Sequence, residues 1–273
     1  MIATPIGNLG DISLRALWVL RQVDRIACED TRHSGLLLNQ YGIKKPLLSY
    51  HDHNADKARP ALLAHIKAGE SIALISDAGL PLLADPGFKL VRACIEAAYA
   101  VTVIPGANAA LTALVGAGLP ADQFYFAGFL PPKMAARQKA IETLESVPAT
   151  LVFYEAPQRL AETLIDLAKI LGAARRGAVA RELTKLFEET RRGTLGELAD
   201  YYRTQDIKGE IVILVGRSEK KATTTLAVLD EALRENLQTQ TLRDAVTSVS
   251  AATGVKKSEV YARALWLRGK TGK

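Results

Sequence analysis

The sequence predicts an α/β protein that ends in a helical tail. Short apolar runs rich in β-branched and aromatic residues alternate with segments of helical period through most of the chain, the pattern of βα repetition and a largely parallel sheet. A stretch punctuated by glycine and proline, "GLPADQ" at 118–123, divides that alternation into two sets. From Ala222 onward the strands stop and three helical segments remain.

In the first set the expected strands are a stub at Met1 to Thr4, "RIACE" at 25–29, "PLLSY" at 46–50, "SIALIS" at 71–76 and "AVTVI" at 100–104. Helices are expected near 12–22, 33–40, 55–68 and 87–98, with another at about 107–117 before the dividing turn. Gly69 is a natural left-handed end for the third helix. The second set has strands "FYFAGF" at 124–129, "TLVFYE" at 150–155, "GAVARE" at 177–182 and "EIVILVG" at 210–216, with helices at about 134–146 and 157–171. The expected domains are therefore 1–118 and 119–217, both α/β, followed by a tail at 222–273. In the tail, Leu242, Ala245, Val246 and Val249 make one apolar stripe, and Val260, Tyr261, Ala264 and Leu265 make another. Gly254 can end the first of these helices and Ser258 can cap the second, which leaves the basic turn "TGVKKS" and the spacing of a helix-turn-helix.

Composition narrows the class. A hydrophobic fraction of 48% and a charged fraction of 23% belong to a folded globular protein. No apolar run approaches the roughly 20 residues that span a bilayer, and the start lacks the basic and apolar segments of a signal peptide, so a cytoplasmic address is expected. Cys28 and Cys94 sit in apolar segments with no zinc or redox spacing, as buried free thiols do. Residues 254–273 hold Lys256, Lys257, Arg263, Arg268, Lys270 and Lys273 against Glu259 alone, which places five of the net six positive charges there. A basic terminal segment on a near-neutral body points to a polyanionic partner or to a solvated tail.

Ligands of parallel α/β sheets collect where loops leave the carboxyl ends of strands. Here those loops read "TPIGNLGDIS", "EDTRHS", "YHDHN", "SDAGLPLLADPG" and "PGANAA", every one polar or rich in glycine. The first lacks the Lys and Ser/Thr of a P-loop and the spacing of a dinucleotide loop; Asp11 or Ser13 caps the helix after it. His51 and His53 flank an aspartate, but three or four ligands are needed for zinc and none are spaced to complete the set, so no metal is expected. Asn54 reads as the cap of the helix beginning near Ala55, and Asp85 as the cap of the next. No nucleophile elbow or Cys-His signature is present.

The set "ATPIGNLGDIS", "EDTRHSGLLL", "HDHN", "SDAGLPLLADPG", "IPGANAALTAL", "GFLPPK", "LVFYEAPQRL", "ARELTK" and "KGEIVILV" resembles the bacterial small-subunit ribosomal RNA methyltransferase I family over about residues 2–216. That family lies in the tetrapyrrole methylase superfamily. The resemblance implies two α/β domains with S-adenosylmethionine in the cleft between them, and methylation of the 2'-hydroxyl of cytidine 1402 in 16S rRNA of the 30S subunit. It places the cofactor against Pro5 and Ile6, Ala78, Gly79, Leu80 and Leu83, and Asn108 and Ala109. From the other domain come Tyr154, Glu155, Glu182, Leu183, Thr184, Glu210 and Ile211. The superfamily also implies a homodimer. The chain departs from the family pattern in its few residues before the first loop and in reading "PGAN" where "PGPS" or "PGPC" is usual.

Removing the proton of a ribose hydroxyl needs a base or a desolvated acceptor. The strand ends offer Asp77, Asp30 and His51 for that role, each equally explained by a hydrogen bond that stabilises its loop. Arg32 reads as a phosphate contact, and Lys256, Lys257 and Arg263 as contacts of the tail with rRNA backbone. Two other functions fit the same residues: a C-methyltransferase of small tetrapyrroles, and a non-catalytic RNA-binding protein with a vestigial cofactor cleft. The "EDTRHS" and "HDHN" motifs and the basic tail favour the RNA enzyme.

Overall fold

The computed structural model describes residues 1–218 and 226–270 and divides into two compact units, Met1–Arg217 and Ser218–Lys273. Residues 222–225 and 271–273 of the expected tail lie outside the described residues.

The first unit begins with α1 (Leu14–Gln22), β1 (Arg25–Cys28), α2 (Thr31–Gln40), β2 (Leu47–Ser49), α3 (Ala55–Lys67), β3 (Ile72–Leu74), α4 (Phe88–Glu96) and α5 (Ala109–Gly116). Ser13 caps α1 by accepting from Ala16 N at 3.0 Å. Gly69 follows α3 at φ 90°, as expected. The three strands pair in parallel in the order β2-β1-β3, and β1 is buried between its neighbours.

The expected strands at 1–4 and 100–104 form only single bridges, Ile2 with Ile104 and Thr4 with Gly79. Proline explains why. Thr4 is followed by Pro5 and Ile104 by Pro105, and a residue without an N-H cannot carry a ladder onward. The two segments still lie beside β3, because Ile2 N donates to Leu74 O at 3.0 Å and Ile104 N to Met1 O at 2.8 Å.

The unit continues with β4 (Phe124–Phe129), α6 (Met134–Glu142), β5 (Thr150–Glu155), a short 3-10 turn, α7 (Leu160–Leu171), β6 (Arg176–Arg181), β7 (Glu189–Thr194), α8 (Leu195–Tyr202) and β8 (Ile211–Val215). The sheet order is β4-β5-β8-β6-β7. Only β4 and β5 run parallel, while the other three pairs are antiparallel. The expectation of a largely parallel sheet therefore holds for the first sheet and fails for the second. The cause is β7, which returns directly along β6; its sequence "ETRRGT" has no apolar run, and only Gly193 in it is buried. With β8 then inserted between β5 and β6, alternation of strands and helices no longer implies parallel pairing.

One face of this second sheet is covered by α7 and α8. On the other face Ala110, Ala113 and Leu114 of α5 pack on Val152, Ala178, Val212 and Leu214, together with Ile6 of the first loop. That packing holds the strand ends of the first sheet against β5 and β8. Burial of these side chains contributes about 25 cal/mol per Å² of apolar surface removed from water.

The second unit is α9 (Leu226–Thr239), α10 (Leu242–Thr253) and α11 (Lys257–Lys270). Thr241 caps α10 on Asp244 N, and Gly254 ends it in the left-handed region at φ 68°. Leu229, Leu233, Val246, Val249, Val260, Ala264 and Leu267 form its core. Two expectations change here. Tyr261 and Leu265 are 46% and 48% exposed, because the buried stripe of α11 runs through 260, 264 and 267 at helical spacing and leaves 261 and 265 about 100° round the helix. Ser258 lies inside the first turn, whereas Lys256 precedes the helix and its carbonyl accepts from Glu259 N and Val260 N.

Candidate active site

Two hollows lie at the carboxyl ends of the first sheet's strands, one lined by Ala78 and the other by its chain neighbour Asp77. The loop after β3 shapes the first. Thr4 and Gly79 exchange backbone hydrogen bonds of 2.8 and 3.1 Å, and the Thr4 hydroxyl donates to Ser76 O at 3.1 Å. Gly79 sits at φ +77°, with the position of a Cβ 3.3 Å from Ile6. A side chain is disfavoured there twice over, by backbone conformation and by the neighbour.

The cleft so formed is about 360 Å³, within the usual range of small-ligand sites. Ile6, Ala78, Gly79, Leu80, Leu83, Asn108 and Ala109 line one wall, and Tyr154, Glu155, Leu183, Glu210 and Ile211 line the other. The expected cofactor residues are thus brought together, apart from Pro5, Glu182 and Thr184. Pro5 is buried beneath the wall. Glu182, at φ 51°, is a buttress: its carboxylate accepts from Glu210 N at 3.0 Å and Lys185 Nζ at 2.8 Å. Thr184 is held through its backbone N-H, which donates to Glu188 at 2.6 Å.

Side-chain roles are narrower than lining alone implies. Asn108 caps α5 by accepting from Leu111 N at 2.9 Å. The Glu155 side chain is fully buried, paired with Arg159 and accepting from Thr163 Oγ1 at 2.6 Å and Ala156 N at 2.8 Å. Its carboxylate is spent on the fold, so its place on the wall is structural. Tyr154 packs edge-on against Phe126 and Phe129, and burial raises the affinity of its phenol for the proton.

The second hollow, about 540 Å³, is lined by Glu29, Asp30, Thr31, Arg32, Ser49, His51, Asp52, His53 and Asp77. It gathers every residue expected to move a proton, and Asp77 joins it to Ala78 of the first cleft. Among the described residues no group of three or more His, Cys, Asp or Glu is placed to hold a metal ion.

The three proposed bases differ. Asp30 is the N-cap of α2, accepting from Arg32 N at 2.8 Å and pairing with its guanidinium at 2.9 Å. Those bonds pull its carboxyl down to about 2, which makes it a poor proton acceptor and corrects its reading as a base. His51 has a backbone N-H bonded to Asn54 Oδ1 at 2.9 Å and a buried Nδ1 with no partner among the described residues. Asp77 Oδ1 accepts from Asp30 N at 3.4 Å.

Asn54 is the N-cap of α3, as expected, but through its backbone carbonyl, which accepts from Lys57 N and Ala58 N; its side chain serves His51 N and Ser49 O. Gly87, not Asp85, is the N-cap of α4, and no side chain caps that helix.

Sequence reasoning missed Glu29 and Asp85. Glu29 is half-buried, and burial followed by the nearby carboxylates of Asp77 and Asp52 raises its proton affinity. Asp85 lines the first cleft, where burial lifts it to about 6. Both stand inside quoted motifs, but their neighbours across the fold, which set their proton affinity, are not visible in a linear sequence. Phe129, Pro157 and Gly209 also line the cleft, each flanking a quoted strand end.

In the second unit, Lys256 just before α11 and Lys257 at its start are exposed. Arg263 is not an open contact. Asp230 engages its guanidinium at 2.6 and 2.7 Å, and the same group lies 3.9 Å over the Trp266 ring, which moves it from RNA contact to internal brace.

Fold and site define a methyltransferase of the tetrapyrrole methylase class. Residues 1–199 match the family described as Tetrapyrrole (Corrin/Porphyrin) Methylases, and 224–268 match the RsmI C-terminal HTH domain. The fold resembles uroporphyrin-III-C-methyltransferase from Thermus thermophilus, with a TM-score of 0.57 at 21% identity, covering 79% of this chain and 92% of that one. It also resembles diphthine synthase, at 0.59 and 15%, covering 79% and 90%. Among curated relatives, ribosomal RNA small subunit methyltransferase I of Mesorhizobium japonicum is 48% identical over 273 residues, covering 100% of this chain and 92% of the relative. The protein of the same name from Pasteurella multocida is 46% identical over 269 residues, covering 96% and 94%. The chain belongs to the ribosomal RNA small subunit methyltransferase I family, and its cofactor is S-adenosylmethionine.

Proposed function

We propose that the chain methylates the 2'-hydroxyl of cytidine 1402 in 16S rRNA of the 30S subunit. The observation that carries this reading is the junction at Asp77 and Ala78, where a cleft suited to a nucleoside-sized cofactor opens beside an acidic hollow. The cleft fits the cofactor: Ile6, Leu80, Leu83, Leu183 and Ile211 give apolar walls for the adenosyl and methionyl carbons, and the positive φ at Gly79 brings bare backbone to the surface. Bound there, S-adenosylmethionine supplies an electrophilic methyl group.

The chain's own residues do the rest. The two walls would hold the donor beside the hollow, and holding donor and acceptor together is where much of the acceleration of a displacement arises. Asp77 and Glu29 line the hollow that would receive the ribose hydroxyl, and Glu29, whose proton affinity burial raises, takes its proton. Arg32, with its side chain 89% exposed at the mouth of the hollow, contacts phosphate, and Lys256 and Lys257 bind rRNA backbone.

The functional domains on this reading are 1–118, 119–217 and the tail 222–273. The enzyme works in the cytoplasm as a homodimer; no helix among the described residues is long and apolar enough to cross a membrane. Incubation with tritiated cofactor and 30S subunits from a strain lacking the modification tests the reading. Label in 16S rRNA is expected; label only in a tetrapyrrole such as uroporphyrinogen contradicts it.

A further inference from the structure

Three carboxylates stand on the walls of the first cleft, those of Asp85, Glu155 and Glu210. Two are neutralised by the fold. Glu155 is paired with Arg159, and Glu210 with Lys185 Nζ at 3.1 Å. Asp85 has no cationic partner among the described residues. Its loop is held in an unusual shape, with Leu82 at φ 75° and Ala84 at φ 67°, a conformation that non-glycine residues adopt at some cost and that is concentrated at functional sites.

The groups that act on Asp85 locate it. The Ser76 hydroxyl favours its charged form, and the carboxylates of Glu29 and Asp77, which line the acidic hollow, oppose it. From the opposite wall the Tyr154 phenol lies within its field. Asp85 therefore stands at the end of the cleft next to the hollow. If the acceptor hydroxyl enters the hollow, the methyl being transferred, and the sulfur that carries it, must lie at that same end.

We propose that Asp85 is the counter-charge of the cofactor's sulfonium and lets the cleft distinguish the charged donor from the neutral product. The inference rests on the functional reading above. Transfer breaks the methyl–sulfur bond, leaves its electron pair on sulfur, forms the new carbon–oxygen bond and releases the hydroxyl proton to the hollow. Sulfur is then a neutral thioether, and Asp85 is left in a half-buried site without a counterion, which weakens product binding. Because the attraction is strongest before the reaction, its loss falls on binding and KM rather than on kcat.

Asp85 is thus a positioning residue, and calorimetry on the full chain at pH 8 tests it with S-adenosylmethionine and S-adenosylhomocysteine as separate probes. Asp85→Asn is expected to bind S-adenosylmethionine about tenfold more weakly and S-adenosylhomocysteine within about twofold of the parent. Asp85→Glu is expected to restore part of the preference for the charged form. Equal losses for both probes, or no loss for either, overturn the proposal; failure of the parent chain to bind either probe overturns the reading of the cleft instead.

Thermal melting gives a readout that needs no ligand. A carboxyl whose folded value lies near 6, above its ordinary 3.8, is destabilising when ionised, and that penalty is fully present above about 6 and disappears as pH falls below the unfolded value. Asp85→Asn is therefore expected to melt higher than the parent at pH 8, with the gap closing toward pH 4. A lower Tm at pH 8 marks an ordinary structural aspartate and contradicts the proposal.

Discussion

Asp30 and Glu29 are neighbours in sequence with opposite proton chemistry. Asp30 holds the start of α2 and an arginine, so its carboxyl is drawn to about 2, while burial and two nearby carboxylates push Glu29 up. The motif "EDTRHS" shows that acid is present at this strand end but not which acid is free, because the deciding contacts are a helix cap and residues 77 and 52, far along the chain. Asp30→Asn is expected to lower the Tm at neutral pH while leaving turnover on 30S subunits within about threefold. The difference in Tm shrinks as pH falls: a depressed folded value means the carboxylate stabilises above the unfolded 3.8 and loses that role as pH passes down through about 2. Glu29→Gln is expected to do the reverse, cutting turnover by about a hundredfold or more with cofactor affinity unchanged. A fully active Glu29→Gln enzyme removes it from proton transfer.

Among the elements, the loop after β3 was the most legible in sequence. Its glycines and prolines at the end of an apolar strand announce a shaped turn, and its position on a parallel strand announces a ligand. What the linear pattern hides is the use made of each residue: Gly79 supplies conformation, Asp85 charge, and Gly87 the helix start. Gly79→Ala is expected to cost about 1–2 kcal/mol of stability from the positive φ alone, and to weaken S-adenosylmethionine binding measurably by calorimetry. Unchanged stability and binding contradict the role given to this glycine.

The segment from β7 to α8 was illegible for a different reason. An edge strand reading "ETRRGT" carries no hydrophobic alternation, yet the helix after it has a full capping box between Thr194 and Glu197, a local signal available at residues 194–197. Similarly, the stub strands at 1–4 and 100–104 read as ladders because apolar runs say nothing of the prolines that end them.

For the molecule as a whole, the five polar or glycine-rich loops supply much of the lining of both hollows, although only three of them follow strands of the first sheet. The strand order of the second sheet was beyond reach, since pairing partners are chosen by long-range packing rather than by local period. Charge distribution was legible in its total but not in detail: the basic tail is real in sequence, while Arg263 within it is committed to Asp230 and the proposed rRNA contact rests on the exposed Lys256 and Lys257. Truncation after Gly216 is expected to leave cofactor binding intact and to weaken 30S binding sharply, with a shallower dependence on salt as phosphate contacts are lost. Lys256→Ala with Lys257→Ala in the full chain is expected to reproduce much of that loss, and unchanged 30S affinity in both contradicts the tail's role.

On the proposed function, the cofactor cleft lined by Ala78 and the acidic hollow lined by Asp77 act together to methylate one ribose. The most direct test is nuclease mapping and mass spectrometry of 16S rRNA after reaction of the purified chain with unmodified 30S subunits and labelled cofactor. A single added methyl on the 2'-oxygen of cytidine 1402 is expected; a methyl on the base, on another nucleotide, or on no RNA contradicts the proposed function.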